Sequence, residues 1–297
     1  GGNRAILEPP TRLARQTRSI AAGSMHDNRH SLLRWRRSKL RHGKPPLGGL
    51  MNFSPRKGRY GVDAPYAPLG MGIGLLGCLG LVVFAHIHAF LISALILALL
   101  LVFYLHTTLR GKFAVWRDLL DAQAWRGDEQ VLDLGCGRGA ILLMVAAFVP
   151  RGRATGVDIW SSMDQSGNEI SVTARNAEAE GVADRIELKT ADMRELPFAD
   201  DSFDLVVSNV AIHNIADAAG RDRAIAEAWR VLRPGGTLLI ADISRSRQYC
   251  RLLNTLGAHA ERRNLGWRMW WGGPWVPTML VSTHKAAGLV SPDPAKT

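Results

Sequence analysis

From Leu69 to Leu105 the chain reads LGMGIGLLGCLGLVVFAHIHAFLISALILALLLVFYL and holds no Asp, Glu, Lys or Arg. As one helix this run would extend roughly 55 Å, far beyond a ~30 Å hydrocarbon core. His86 and His88 divide it into halves of about 17–19 residues, each near the length that a crossing needs. The pattern predicts a hairpin of two transmembrane helices over residues 66–107. In its first half Gly70, Gly74, Gly77 and Gly80 recur at a spacing that lets a second helix approach closely. After the hairpin, Phe113, Trp116, Leu119 and Leu120 mark one face of an amphipathic helix. That helix falls in a linker, residues 108–129, and rests on the next domain or on the membrane interface.

From residue 130 the period changes. Apolar β-rich runs at 130–134, 153–158, 185–189, 204–209, 237–242, 264–270 and 278–284 alternate with helical segments, notably 139–148, 168–180, 221–232 and 246–257. Strands interleaved with helices predict a doubly wound α/β sheet over residues 130–286, with a short tail at 287–297. A Gly/Pro/Trp-rich link alone separates the last two strands, so they are expected to pair antiparallel.

The formal net charge is +11, and its location matters more than its size. Residues 1–60 are rich in Arg, Ser, Gly and Pro, follow no apolar period, and carry fourteen Lys and Arg against Glu8 and Asp27. They read as a basic, disordered arm. The remainder is close to neutral, so no basic face is expected on the folded domain and no nucleic-acid partner. Met25 and Met51 are both candidate natural starts. Arg56, Lys57 and Arg59 precede the hairpin, while Arg110, Lys112 and Arg117 follow it. Both ends then belong on the cytoplasmic side, which makes a multi-pass protein with two spans and a cytoplasmic domain. Cys78, Cys136 and Cys250 form no C-x-x-C pair, and no metal cluster is evident. His86, His88 and His106 read as polar residues of a hairpin turn and a membrane boundary.

The candidate chemistry starts in VLDLGCGRGA, residues 131–140. A strand that breaks into Gly135, Gly137 and Gly139 before a helix brings a ligand against backbone N–H groups. The stretch also fits the dinucleotide fingerprint ending in alanine, so its ligand is decided by what surrounds it. Asp133, at the strand end, suits an ammonium and would repel a pyrophosphate. Asp158 ends the second strand in GVDIW, 21 residues after Gly137, a spacing that suits a carboxylate on ribose hydroxyls. Asp192 follows the third strand in TADMRELPF, with Met193 offering an apolar contact to a flat base. Cys136 fills the tight turn as a small residue.

VLDLGCGRG, GVDIW, TADMRELPF, FDLVVSNVAIHN and RVLRPGGTLLIADI stand in the order found in class I S-adenosylmethionine-dependent methyltransferases. Residues 112–286 resemble that family, and most of all the small-molecule type that includes ubiquinone and menaquinone biosynthesis enzymes. The whole chain resembles bacterial members that carry an N-terminal membrane hairpin. The resemblance implies a Rossmann-like seven-stranded sheet with an antiparallel last strand, and S-adenosylmethionine as cofactor. It implies that Asp133, Gly135, Cys136 and Gly137 line the methionine part of the cofactor and that Asp158 holds the ribose. Ile159 would lie beside the adenine, Asp192 and Met193 would contact it, and Asn209 would close the pocket. RPGG, residues 233–236, reads as a structural turn into the fifth strand.

His213 in SNVAIHN is the candidate general base, by type and position. Ser208 and Asn209 are not followed by a Pro-Pro-aromatic sequence, so the clamp of nucleic-acid base methyltransferases is missing. Two stretches depart from the family pattern: the polar loop WSSMDQSGN at 160–168, which is expected to face the acceptor, and GWRMWWGGPW at 266–275. The latter, with Trp267, Trp270, Trp271 and Trp275, reads as an acceptor lid, a membrane-interface belt or strand packing. The expected activity is methyl transfer to a small-molecule or lipid-like acceptor at the membrane. The alternative is a membrane protein that binds the cofactor without catalysis, as sensor or scaffold.

Overall fold

The computed structural model describes residues 56–160 and 169–287. The basic arm over residues 1–55, most of the polar loop at 160–168 and the tail beyond 287 lie outside the described residues.

Two apolar helices come first, α1 (Tyr66–Phe84) and α2 (Phe90–His106), packed against each other around a turn at residues 85–89. His86 occupies the left-handed region in that turn (φ 56°). Gly74 is the glycine that the packing uses, because a Cβ there would sit 3.3 Å from Leu97. Helix α2 does not stop at the expected boundary. A π-helical turn, Thr107–Gly111, carries it directly into α3 (Lys112–Asp121). The linker helix and the second apolar helix are therefore one helix, Phe90–Asp121, of 32 residues. Tyr66–Phe84 and Phe90–Asp121 are both long and apolar enough to cross a membrane. The amphipathic face of α3 lies on the domain: Phe113, Trp116, Leu119 and Leu120 are all buried.

The sheet has seven strands in the order β3-β2-β1-β4-β5-β7-β6. These are β1 (Gln130–Leu134), β2 (Arg153–Asp158), β3 (Ile186–Thr190), β4 (Phe203–Asn209), β5 (Leu232–Asp242), β6 (Glu261–Asn264) and β7 (Met279–His284). Strands β1 to β5 run parallel, and β7 is antiparallel to both β5 and β6. The crossover helices are α4 (Leu142–Ala146), α5 (Ile170–Glu180), α6 (Ala218–Val231) and α7 (Ser246–Thr255). Near-continuous apolar strands such as Leu205–Val207 and Leu238–Ala241 are buried, as a sheet covered on both faces requires. The register shifts in the pairing of β4 with β5 between Phe203 and Leu205, opposite RPGG. Gly236 is obligatory there, because a Cβ would lie 2.9 Å from the carbonyls of Arg233 and Asp204.

Strand β6 departs from expectation. It occupies ERRN at 261–264, every residue exposed, instead of the aromatic run that follows. A charged edge strand resists pairing with other chains. The tryptophans of the aromatic run are taken up sideways by the helices. Trp270 lies against Phe103, Trp271 meets Tyr104 edge-on, and Trp267 stacks on His106. The backbone of Arg268 runs so close to Gly111 that no side chain fits there. Thr107 Oγ1 donates to the carbonyl of Trp270 at 2.7 Å. Docking on the helix pair thus accounts for the placement of Trp267, Trp270 and Trp271. Trp275 and, despite its stacking on His106, Trp267 stay largely exposed, at 66% and 54%. Thr107→Val should cost about 1 kcal/mol through the lost bond, read as a lower thermal midpoint of the detergent-solubilised chain. An unchanged midpoint would mean that the bond adds nothing to the docking.

Candidate functional site

The switch point of the sheet lies between β1 and β4, where the strand order reverses, and ligands of such sheets bind beyond the carboxyl ends of the strands. Three of the non-glycine residues with positive φ cluster there: Trp160 after β2 (φ 56°), Val210 after β4 (φ 53°) and Arg245 after β5 (φ 59°). A β-branched residue such as Val210 enters this region at a cost, and such strain collects where a site demands a shape. Asn209 and His213 flank it.

The glycine turn after β1 has φ +71°, +49° and +81° at Gly135, Gly137 and Gly139. At Gly135 a Cβ would come within 2.4 Å of Ala211 and 3.3 Å of Met193, so the turn approaches both the β4 corner and the loop after β3. The amides of Gly135 and Cys136 are committed to the carbonyl of Val157, at 2.8 and 3.1 Å. Cys136 turns its thiol inward, against the space a Cβ on Gly156 would fill. Burial pushes that thiol well above its ordinary pKa, so it is no nucleophile. Helix α5 holds the outer carbonyls of the turn: Thr173 Oγ1 donates to Gly137 at 2.6 Å, and Asn176 Nδ2 to Arg138 at 3.0 Å. Neither residue stands out in the sequence, where both read as ordinary helix positions.

Asp133 is buried at 2% exposure, and its Oδ1 has no hydrogen-bond partner among the described residues. Burial first, and the nearby Asp158 second, push its pKa up to about 8. An orphaned, buried carboxyl oxygen beside a glycine turn calls for a cationic donor. Asp158 accepts from the amide of Gly137 at 2.8 Å (Oδ2) and from that of Trp160 at 2.7 Å (Oδ1). These bonds fix the carboxylate at the strand end. Ile159, beside it, is 62% exposed and offers a bare apolar surface. Asp192 is gripped by the guanidinium of Arg194, with Nη2–Oδ2 at 2.5 Å. Those hydrogen bonds hold its pKa below the usual carboxylate value. Asn209 Oδ1 accepts from Trp116 Nε1 at 2.8 Å. A fully buried indole of α3 thereby ties the helix leaving the hairpin to the end of β4, a link invisible in the sequence.

On the far side of the switch point, His213 sits in a short 3-10 turn, Ile212–Asn214. Its amide donates to Asp242 Oδ2 at 3.1 Å, and its Nδ1 lies 2.7 Å from Asp242 Oδ1. The contact is close but off the line of a good hydrogen bond, since Nδ1 finds no aligned partner. Asp242 is 1% exposed and also accepts from Tyr249 Oη at 3.2 Å and from the amide of Ile243 at 2.7 Å. Burial and the charge of Asp242 push the Tyr249 phenol far above its ordinary range, so it stays a donor. Asp242 ends β5 in the stretch LLIAD. Its position opposite the β4 corner was the signal that sequence reading passed over.

The described residues hold no group of His, Cys, Asp and Glu suited to a metal ion. The family model described as a methyltransferase domain matches residues 132–240. The chain is 35% identical over 135 residues to a ubiquinone/menaquinone biosynthesis C-methyltransferase of Dinoroseobacter shibae, covering 45% of this chain and 50% of that protein. It is 40% identical over 114 residues to a methyltransferase of Streptomyces halstedii, covering 38% of this chain and 37% of that one. With a sterol 4-C-methyltransferase of Caenorhabditis elegans it shares 32% over 118 residues, 40% of this chain and 32% of that one. The chain thus spans half or less of the length of these relatives.

Proposed function

We propose that this chain, whose residues 132–240 match a family model described as a methyltransferase domain, is a membrane-anchored, S-adenosylmethionine-dependent enzyme of class I methylating a small-molecule or lipid-like acceptor. One observation carries the cofactor assignment: the unpartnered Oδ1 of buried Asp133, which suits the ammonium of the methionine moiety and repels a pyrophosphate. Asp158 would take the ribose hydroxyls and Ile159 would lie along the adenine. Met193 and Asp192 would border it, while Gly135 and Gly137 give the backbone room to approach. Asn209 would close the pocket.

When bound, S-adenosylmethionine supplies a methyl group already activated on a sulfonium. The protein's own task is to align the acceptor, exclude water and, where the acceptor retains its proton, remove it. His213 is the group for that removal. Asp242 orients its ring and steadies the charge it gains, and Tyr249 keeps Asp242 in place. His213→Ala should lower transfer by about 10²–10⁴-fold with cofactor affinity unchanged, and Asp242→Asn should move the pH profile as well. Transfer at the wild-type rate by His213→Ala would remove the base assignment.

The membrane reading rests on α1 and the first part of α2. Leu76, Phe84, Ile92 and Leu95 are 61–86% exposed, on helices with no charged residue. So large an apolar surface is rare on a protein bathed in water and ordinary in lipid. The relatives named for quinones and a sterol support an apolar acceptor that dwells near the bilayer. Incubating membranes that contain the chain with methyl-labelled cofactor tests the whole reading. Label in a lipid or small-molecule fraction is expected. Cofactor binding with no label in any fraction would favour a sensor.

A further inference from the structure

The domain's near-neutral charge conceals a local concentration of arginine. Beyond the carboxyl end of β5 lies an open cleft of about 470 Å³ bordered by Arg245, Arg247, Arg251 and Arg262, with an apolar floor that includes Pro277 and Met279. Among the described residues none of the four forms an ion pair, and the nearest polar partner is Ser246 Oγ, 3.4 Å from Arg262. Four exposed guanidiniums bordering one cleft with no carboxylate in its lining repel one another weakly and give the cleft a positive potential that favours an anion. The backbone adds to this. Arg245 stands in the left-handed region where α7 begins, no side chain caps that helix, and the amides of Gln248 and Tyr249 take the carbonyl of Arg245. Among the described residues the amides of Ser246 and Arg247 have no acceptor, as the first turn of a helix leaves them.

The cleft adjoins the reaction site. Ile243, in its wall, follows Asp242 directly, and Met279 is the register partner of Asp242 across β5 and β7. A ligand filling the cleft would therefore extend toward His213. Guanidinium forks over an apolar floor match a phosphate head on a hydrocarbon body. We propose that this cleft is a phosphate-binding subsite and that the acceptor is an amphiphile bearing a phosphate or diphosphate group. This rests on the methyltransferase reading for the word acceptor, though anion binding itself does not.

The test uses the full chain in neutral detergent, titrated calorimetrically with inorganic pyrophosphate. Saturable binding is expected. Arg247→Gln with Arg251→Gln should weaken it at least tenfold, as should Arg262→Gln from the opposite wall, with S-adenosylmethionine affinity unchanged. The helix pair sits one turn apart on an exposed face, so its loss relieves repulsion and leaves folding intact. Dihexanoyl phosphatidic acid, below its micelle concentration, separates the sources: tighter binding than pyrophosphate marks a lipid headgroup, weaker binding a soluble phosphate ester. Absence of saturable pyrophosphate binding, or equal affinity in both variants, overturns the proposal. Pyrophosphate binding in a chain that does not bind S-adenosylmethionine would leave the anion site standing and remove the methyltransferase reading instead.

Discussion

Asp133→Asn should raise the thermal midpoint of the cofactor-free chain at pH 8 while weakening S-adenosylmethionine binding on the order of a hundredfold or more. The two effects share one cause. In the folded chain the Asp133 carboxyl titrates at about 8, against an ordinary value of 3.8, because it is buried beside Asp158. Between those values the folded state holds more protons than the unfolded one, so stability falls as pH climbs through the window. Asparagine cannot ionise, so the loss disappears, while its carbonyl oxygen still accepts from the Leu142 amide that now serves the carboxyl. The gain should grow as the pH rises, reach its full size above pH 8 and vanish below pH 4. Binding suffers because the cofactor's ammonium loses a buried counter-charge. A site shaped for a cation is thus a liability when the cation is absent. Equal midpoints at pH 8, or undiminished cofactor affinity, would show that Asp133 does not face the cofactor.

Asp63→Ala should destabilise the full chain by about 3 kcal/mol, toward the lower end of the cost of stranding a buried charge. Lys112 Nζ lies 2.5 Å from Asp63 Oδ2, with the lysine side chain 2% and the aspartate 26% exposed. Thr108 Oγ1 donates to the same carboxylate oxygen at 2.7 Å and accepts from the Asp63 amide at 2.9 Å. The segment before α1 is held along its length in this way. The amides of Lys57 and Gly58 and the hydroxyl of Tyr60 all reach Glu180, and the Arg59 amide reaches Asn176, which also holds the glycine turn. Removing Asp63 leaves Lys112 in the interior without a counter-charge and loosens a segment tied to the cofactor turn. Adding Lys112→Met should restore most of the stability, since an apolar side chain of similar volume tolerates that burial. A midpoint unchanged in Asp63→Ala, or no recovery in the double variant, would contradict this account of the pair.

The strands β1, β2 and β4 were legible because parallel strands buried on both faces leave nearly unbroken apolar runs between glycine and aspartate breaks. Asp133 and Asp158 stand at the ends of such runs, whereas Asp192 follows the alternating edge strand β3, IELKT. The aromatic run at 266–275 misled as a strand because β-propensity does not reveal what a side chain packs against. Its tryptophans pack on the hairpin, hundreds of ångströms of chain away but adjacent in space. The Trp116–Asn209 bond, the Asp242 partner of His213 and the Asn176 hold on the glycine turn are pairings across more than 25 positions. A single sequence has no period that encodes them. The arginine cleft was hidden differently, since Arg245, Arg247, Arg251 and Arg262 are diluted in a neutral sum and gather only when α7 folds beside β6.

Asp133 meeting a cation is the central contact of the cofactor site, and proton release reads that contact directly. S-adenosylmethionine would be titrated into the full chain at pH 7 in two buffers of different protonation enthalpy. A carboxyl that titrates at about 8 is mostly protonated before binding, and it must ionise to pair with the ammonium. Release of close to one proton per cofactor bound is expected, fading above pH 9 and absent in Asp133→Asn. Binding with no proton release at pH 7, or NADH binding more tightly than S-adenosylmethionine, would contradict the assignment.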